Sequence, residues 1–97
     1  MTTTKPCIFC SLPDSSIIDQ NELAMAVRDI APVNPGHTLI MPKRHVASYF
    51  DLTDEESLAM MVLLRRTKQT LDIEFAPDDY NIGVNNGPLA GQTVPHV

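Results

Sequence analysis

Residues 21–45, NELAMAVRDIAPVNPGHTLIMPKRH, contain two short apolar runs separated by a turn rich in proline. The first run, residues 21–30, has the length of one strand. The second, residues 37–41 (HTLIM), is β-branched and apolar and is stopped by Pro42. Two prolines and a glycine between the runs require a turn, because proline fixes φ and removes a backbone donor. The stretch therefore predicts an antiparallel hairpin with a wide loop.

The main helix is predicted to follow this hairpin. Residues 53–56 (TDEE) form a capping box, and Pro77 ends the helix. Side chains in between recur at near-helical spacing and predict one stripe that faces a core. The members of this stripe are Leu58, Met61, Leu64, Lys68, Leu71 and Phe75. Met60 and Met61 are predicted to fill gaps in that core.

Two later segments complete the predicted sheet. Residues 80–84 (YNIGV) are typical of a third main strand, and residues 93–97 (TVPHV) begin a further strand that is cut short. The order strand, strand, helix, strand, strand predicts an α+β fold with a mostly antiparallel sheet and one main helix. With 97 residues the chain allows a single domain, residues 1–97, which we expect to be incomplete at its C-terminus.

Composition excludes several classes of protein. The net charge is −5 and there is no basic run, so binding to nucleic acid is not expected. No apolar stretch approaches the roughly 20 residues of a membrane span. The first seven residues, MTTTKPC, hold no apolar run after their lysine and do not resemble a secretory signal. We therefore expect a cytoplasmic protein without a disulfide framework.

A C-x-x-C motif, Cys7 to Cys10, suits three different roles. Two thiolates on a tight turn supply half of a tetrahedral zinc site, whose other ligands would come from His37, His45 or His96. A redox pair usually opens a helix after a strand, and nothing strand-like precedes this motif. Simple burial of two small apolar side chains is the remaining alternative.

The glycine-bearing loop of residues 85–93 holds groups that suit an anion. Glycines let the backbone approach an anion closely, and amide and hydroxyl groups donate to non-bridging oxygens. The residues concerned are Asn85, Gly87, Gly91, Gln92 and Thr93. An ordinary connecting loop is the alternative. Asp29, beside the proline turn, could accept hydrogen bonds from two vicinal hydroxyls, or it could simply stabilise the turn.

Together these segments resemble the histidine triad (HIT) family. Residues 29–45 are similar to its D-x-x-P-x-x-P-G-H-x-L-φ-x-P-K-x-H segment, and residues 85–97 to its N-x-x-x-x-x-G-Q-[ST]-V-x-H-φ run. The C-x-x-C resembles the start of the zinc-containing bacterial branch. The resemblance implies a HIT-like fold and a homodimer, paired along helix and strand, for which the stripe of residues 58–75 offers a face. It also implies a hydrolase or transferase acting at the α-phosphate of purine nucleotide conjugates: phosphoramidates, adenylates or dinucleoside polyphosphates.

The resemblance further implies roles for individual residues. Asp29 would hold the ribose hydroxyls, and a base pocket would be lined by Ile8, Phe9, Leu12, Val27 and Ile30. The residues that would contact the α-phosphate, with Gly91 allowing its approach, are Asn85, Gln92 and Thr93. A structural zinc would be bound by Cys7, Cys10, His45 and His96. His37 and His96 would have supporting catalytic roles.

The family signature is H-φ-H-φ-H-φ-φ, and this sequence holds its first histidine, His96, and Val97. In the family the middle histidine is the nucleophile that attacks the α-phosphorus. We therefore expect an enzyme for the intact protein, and nucleotide binding without turnover for the 97-residue polypeptide. A non-catalytic, zinc-stabilised nucleotide-binding module is the alternative.

Overall fold

Three antiparallel strands and one long helix form the regular structure of the described residues. The computed structural model describes residues 7–28, 36–90, 92 and 96–97. In chain order the elements are β1 (Ile17–Gln20), β2 (Ala24–Arg28), β3 (Thr38–Pro42) and α1 (Asp54–Phe75). Short 3-10 turns lie at Ile8–Ser11, Asp14–Ser16, Tyr49–Asp51 and Pro88–Ala90. The order in the sheet is β1-β2-β3, so the α+β prediction with one main helix is confirmed.

The predicted hairpin is confirmed as β2 and β3. The two strands pair antiparallel from Ala24 opposite Pro42 to Arg28 opposite Thr38. β2 begins three residues later than predicted, because the Asn21 side chain accepts hydrogen bonds from the amides of Leu23 and Ala24 and forms a turn. That turn joins β2 to β1, a four-residue strand that sequence reasoning missed.

Both faces of the hairpin are covered. Ala24 and Ala26 of β2 are fully buried against Leu63 of α1. Met25 and Val27 point to the opposite face, where Met41 completes a second apolar cluster. Phe9 and Leu12, from the segment before β1, pack against that second cluster. Because both faces are buried, residues 24–27 read as a continuous apolar run without alternation.

The helix begins and ends where the sequence predicts. The Thr53 hydroxyl accepts from the Glu56 amide at 3.0 Å, and the Glu56 carboxylate accepts from the Thr53 amide at 2.9 Å. These two bonds are the capping box. At the other end Ala76 adopts a left-handed conformation, with φ of 46°, directly before Pro77. Within the described residues no helix has the length and apolar character to cross a membrane.

The predicted core stripe lies mostly on the wrong side of α1. The buried residues of the helix are Glu56, Leu63, Thr67 and Leu71, and only Leu71 belongs to the predicted stripe. Leu58 and Met61 are 56% and 44% exposed, so Met61 is not core, whereas Met60 is half-buried against the sheet. Apolar residues lie on more than one side of this helix, and periodicity alone could not select the side that packs on Ala24 and Ala26.

Residues 80–84 form no strand, so the predicted third main strand is wrong. Ile82 and Val84 are 66% and 53% exposed. The segment is tied to the helix at Tyr80, whose hydroxyl donates to Asp72 at 2.6 Å. An alternating pattern reports which side chains share a face, but a strand also needs a partner for its backbone groups. Of the predicted strand at 93–97, residues 93–95 lie outside the described part of the chain.

Candidate functional site

Four residues of the ligand-forming types meet near one end of the hairpin. One nitrogen or sulfur atom from each of Cys7, Cys10, His45 and His96 lies within 4.8 Å of all the others. The two cysteines lie on a tight turn, in which the Cys10 amide donates to the Cys7 carbonyl at 3.1 Å. His45 lies three residues after the end of β3, and His96 is contributed from the other end of the chain. His37 does not belong to this cluster.

The distances within the cluster fit a tetrahedral dication. Cys10 Sγ lies 3.2 Å from His45 Nδ1 and 3.5 Å from His96 Nδ1, and Cys7 Sγ lies 3.5 Å from His96 Nδ1. Zinc binds sulfur at about 2.3 Å and nitrogen at about 2.0–2.1 Å. A sulfur and a nitrogen that bind the same tetrahedral zinc therefore lie about 3.6 Å apart. The donor set therefore fits a closed S₂N₂ site of the kind used for structural zinc.

His96 is held in the form that binds a metal. Its Nε2 lies 2.8 Å from the Pro42 carbonyl oxygen, which can only accept, so Nε2 carries the proton and Nδ1 presents its lone pair to the cysteines. Burial lowers the pKa of His96, and the nearby His45 lowers it further, against the opposing effect of the Pro42 hydrogen bond. A neutral imidazole whose outer nitrogen is fixed by a carbonyl is typical of metal sites.

The cysteines need a positive charge if both are to be thiolates. Desolvation raises the pKa of the Cys10 thiol, and the hydrogen bond and charge of Cys7 raise it further. Two adjacent thiolates repel each other, and a dication between them removes that penalty. The four residues therefore suit a bound metal better than a pair of free thiols.

Three of the residues expected to line a base pocket come together on the outer face of the sheet. Val27 is buried there with Met25 and Met41, and Phe9 and Leu12 pack against this cluster. The Phe9 ring meets the His96 ring edge-on, with centroids 5.9 Å apart. The side chain of Ile8, and the whole of Asp29 and Ile30, lie outside the described part of the chain.

The glycine-bearing loop is tied to the segment after β3. The Gln92 side chain donates from Nε2 to the Ala47 carbonyl at 2.7 Å and accepts from the Gly87 amide at 2.6 Å. One Nε2 hydrogen is thus left for a ligand. Asn85 is exposed, and its side chain bonds to no residue that the structure describes. Gly91 and Thr93 lie outside the described residues, and His37 is exposed immediately before β3.

Sequence reasoning missed the roles of two residues that hold this region together, Asn86 and Arg44. Asn86 accepts from the Tyr49 amide at 2.7 Å and so anchors the loop a second time. Arg44, next to the ligand-type residue His45, forms a two-pronged ion pair with Glu56 at the start of α1. The capping box pointed to Glu56, but no local signal paired it with Arg44, which is 12 residues away.

Comparison with known proteins shows which family the chain is similar to. The family model of the HIT domain matches residues 12–97. The adenosine 5′-monophosphoramidase hnt1 of Schizosaccharomyces pombe is 35% identical over 95 residues, which cover 94% of this chain and 68% of that protein.

Solved structures give the same answer for the fold. A HIT family protein from Bacillus anthracis superposes with a TM-score of 0.87 at 37% identity, covering 97% of this chain and 70% of that one. A zinc-bound histidine triad family protein from Mycobacterium smegmatis has a TM-score of 0.81 at 31% identity, covering 93% of this chain and 68% of that one.

Proposed function

Because the chain belongs to the histidine triad (HIT) family, we propose that it forms the nucleotide-binding body of a hydrolase or nucleotidyl transferase. The reaction lies at the α-phosphate of a purine nucleotide conjugate, and a phosphoramidate is the first candidate because a relative that is 35% identical is named for that activity. The observation that carries the proposal is the contact of Phe9 with both the apolar face of the sheet and the ring of His96.

In this proposal each part of the nucleotide has its own partners. The base lies against Phe9, Leu12 and Val27, which form an apolar wall, and Asp29 accepts from the ribose hydroxyls. The α-phosphate receives N–H donors from Asn85 and from the remaining hydrogen of Gln92. Neutral donors placed where charge develops stabilise the transition state of phosphoryl transfer.

The nucleophile in the proposed reaction is a histidine two positions after His96, outside the residues of this sequence. Its imidazole nitrogen would form a bond to the α-phosphorus while the bond to the leaving group breaks, and water would then hydrolyse the nucleotidyl-histidine. Both ring nitrogens of His96 are already engaged, one with Pro42 and one with the cysteines. His96 is therefore assigned a supporting role, together with His37.

The test compares two polypeptides. Residues 1–97, and a version extended through two further alternating histidines, are titrated with AMP and assayed with adenosine phosphoramidate. We expect both to bind AMP and only the extended one to turn over, because loss of a nucleophile costs on the order of a millionfold in a serine protease. Comparable rates from both would contradict the assignment of the nucleophile.

A non-catalytic, zinc-stabilised nucleotide-binding module is the second candidate. It is supported by the Cys/His cluster, because a closed site with four protein ligands stabilises a fold and leaves no open position for a substrate. If the extended polypeptide also binds AMP without turnover of the phosphoramidate or of a dinucleoside polyphosphate, this second function is the correct one.

A structural zinc is proposed at the Cys7, Cys10, His45 and His96 cluster. The donor set and its distances support zinc, as does the zinc-bound relative from M. smegmatis. Metal analysis of the purified protein should give one zinc per chain. Protein without zinc, and with both thiols reactive, would contradict the site and favour a redox pair.

A homodimer in the cytoplasm is also proposed. Leu23, Leu58 and Val62 line one open pocket between the turn that joins β1 to β2 and the first half of α1, and Met61 is exposed on the same helix. An apolar area of this kind on a surface helix suits a partner subunit. Cys7 and Cys10 are not joined in a disulfide, which suits a reducing compartment and supports a cytoplasmic location. Light scattering that detects only the monomer at micromolar concentration would contradict the dimer.

A further inference from the structure

The carboxylate of Glu56 is buried at the start of α1 and bound by three donors. Only 4% of the residue is exposed. Oε1 accepts from the Thr53 amide at 2.9 Å and from Arg44 Nη2 at 2.8 Å, and Oε2 accepts from Arg44 Nε at 3.0 Å. A helix cap needs only the first of these bonds. The two bonds to Arg44 connect the helix to another part of the fold.

Arg44 connects the Glu56 carboxylate to the turn that carries His45, the next residue in the chain. Besides the two-pronged pair with Glu56, Arg44 Nη2 donates to the Asp51 carbonyl at 3.2 Å. His45, directly after it in the chain, has Nδ1 at 3.2 Å from Cys10 Sγ. Two consecutive side chains of one turn therefore have different partners. One is anchored at the helix start and the other lies in the Cys/His cluster.

The backbone on either side of these two residues is held separately. The Lys43 amide donates to the Leu23 carbonyl at 2.8 Å, and the Val46 carbonyl accepts from the Val97 amide at 2.6 Å. The Arg44 side chain is therefore the anchor between the two backbone bonds. His45 itself is exposed, and its ring meets the His96 ring edge-on, with centroids 5.3 Å apart. Its backbone is placed by the residues before and after it.

We propose that Glu56 is a positioning residue for the metal centre, acting through Arg44 to hold His45 in place as a ligand. The inference rests on the proposed zinc site and goes beyond it by assigning a role to a residue of the helix start. Residues that hold a metal ligand in place raise metal affinity, because the ligand is already in its bound position before the metal arrives.

The primary measurement is zinc affinity of the folded protein, by competition with a chromophoric chelator. Loss of outer partners typically lowers metal affinity by about 10–100-fold, and we expect about tenfold for Glu56→Gln because Arg44 does not touch His45 directly. Arg44→Met should give the same loss. The double variant should lose no more than either single one, since both changes break the same pair.

Thr53→Ala is the matched control for helix stability. It removes the hydroxyl that accepts from the Glu56 amide but leaves the bonds of Arg44 to Glu56 intact. We expect it to lower thermal stability and to leave zinc affinity unchanged. If Thr53→Ala weakens zinc binding as much as Glu56→Gln does, Glu56 acts only through the stability of the helix and the proposal is overturned.

His45→Ala supplies the second test, with cobalt as a spectroscopic probe. In that background Glu56→Gln should change neither the affinity nor the d–d absorption of bound Co²⁺, because the ligand that it positions is absent. An equal loss with and without His45 overturns the positioning role. A wild-type protein that binds neither cobalt nor zinc overturns the metal site itself, which distinguishes the two failures.

Discussion

At the scale of single residues, Thr67 is buried without a hydrogen bond. The residue is 2% exposed on α1, and its Oγ1 has no partner among the described residues. A buried unsatisfied polar group costs about 1–3 kcal/mol. Thr67→Val keeps the shape and removes the hydroxyl, so it should raise the free energy of unfolding by about 1 kcal/mol in urea titrations. Thr70→Val, at an exposed position of the same helix, should change it little; an equal gain there would contradict the explanation.

Among the three glycines that the structure describes, Gly36 is the one that least tolerates a side chain. Its φ is +85°, and a Cβ there would lie 3.0 Å from two ring carbons of Phe75. The left-handed conformation alone costs a non-glycine residue roughly 1–2 kcal/mol. We expect Gly36→Ala to lower the free energy of unfolding by at least this amount, measured by urea titration. Gly83→Ala is the control, because nothing lies within 4 Å of its Cβ position and its φ is not positive.

Local chemistry at single residues could be predicted from the sequence, but long-range pairing could not. The capping box of Thr53 and Glu56 is a four-residue pattern, and both of its bonds are present. The second role of Glu56, as partner of Arg44, depends on the fold that brings the turn after β3 to the helix start. The Gln92 bonds to Ala47 and Gly87 depend on the fold in the same way.

At the scale of elements, the start of α1 depends on pH through Glu56. The hydrogen bonds from Arg44, and then from the Thr53 amide, lower the pKa of Glu56 from 4.5 to about 2, against the effect of burial. The folded-state pKa lies below the unfolded value, so the ionised carboxylate stabilises the fold above about pH 4.5. This stabilisation is lost as pH falls from there towards 2.

Comparison of Glu56→Gln with wild type, with metal removed from both, isolates this contribution. Hydrogen bonds to charged groups are worth about 1.5–3 kcal/mol, so the variant should be less stable by an amount in this range at pH 7. The difference should shrink between about pH 5 and pH 2, as followed by urea unfolding at each pH. A constant difference over this range would show that the charge of Glu56 does not contribute.

Elements with strong local signals were predictable, and those defined by a partner were not. The helix ends and the β2–β3 hairpin follow from a capping box, prolines and apolar runs. β1 has only four residues, two of them polar, and it becomes a strand because β2 lies beside it. Residues 80–84 have the apolar alternation of a strand and pair with nothing that the structure describes.

At the scale of the whole molecule, the Cys/His cluster brings residues from both ends of the chain to the sheet. Cys7 and His96 are 89 positions apart, and His45 lies at the end of the central hairpin. The resemblance to the HIT family implied the four ligands, whereas spacing alone left the choice of histidines open. Neither could predict the role of residues 7–12, the arm that carries the cysteines. Phe9 and Leu12 of this arm cover the face of the sheet opposite to α1.

Removal of the metal should therefore release this arm and expose the sheet beneath it. Without a cation the Cys7 and Cys10 thiols lose the interaction that fixes their turn, so Phe9 and Leu12 no longer cover Met25 and Met41. Structural zinc contributes on the order of 10–16 kcal/mol of apparent binding in small peptides, so Cys10→Ser should strongly destabilise this fold.

Chelation and Cys10→Ser should both speed amide hydrogen exchange in residues 7–12 and in β2 more than in the middle of α1, as read by mass spectrometry. Ser15→Ala, an exposed change between the cysteines and β1, should leave exchange unchanged. Equal exchange of the arm with and without metal would mean that packing alone holds it, and that the metal does not connect the two ends of the chain.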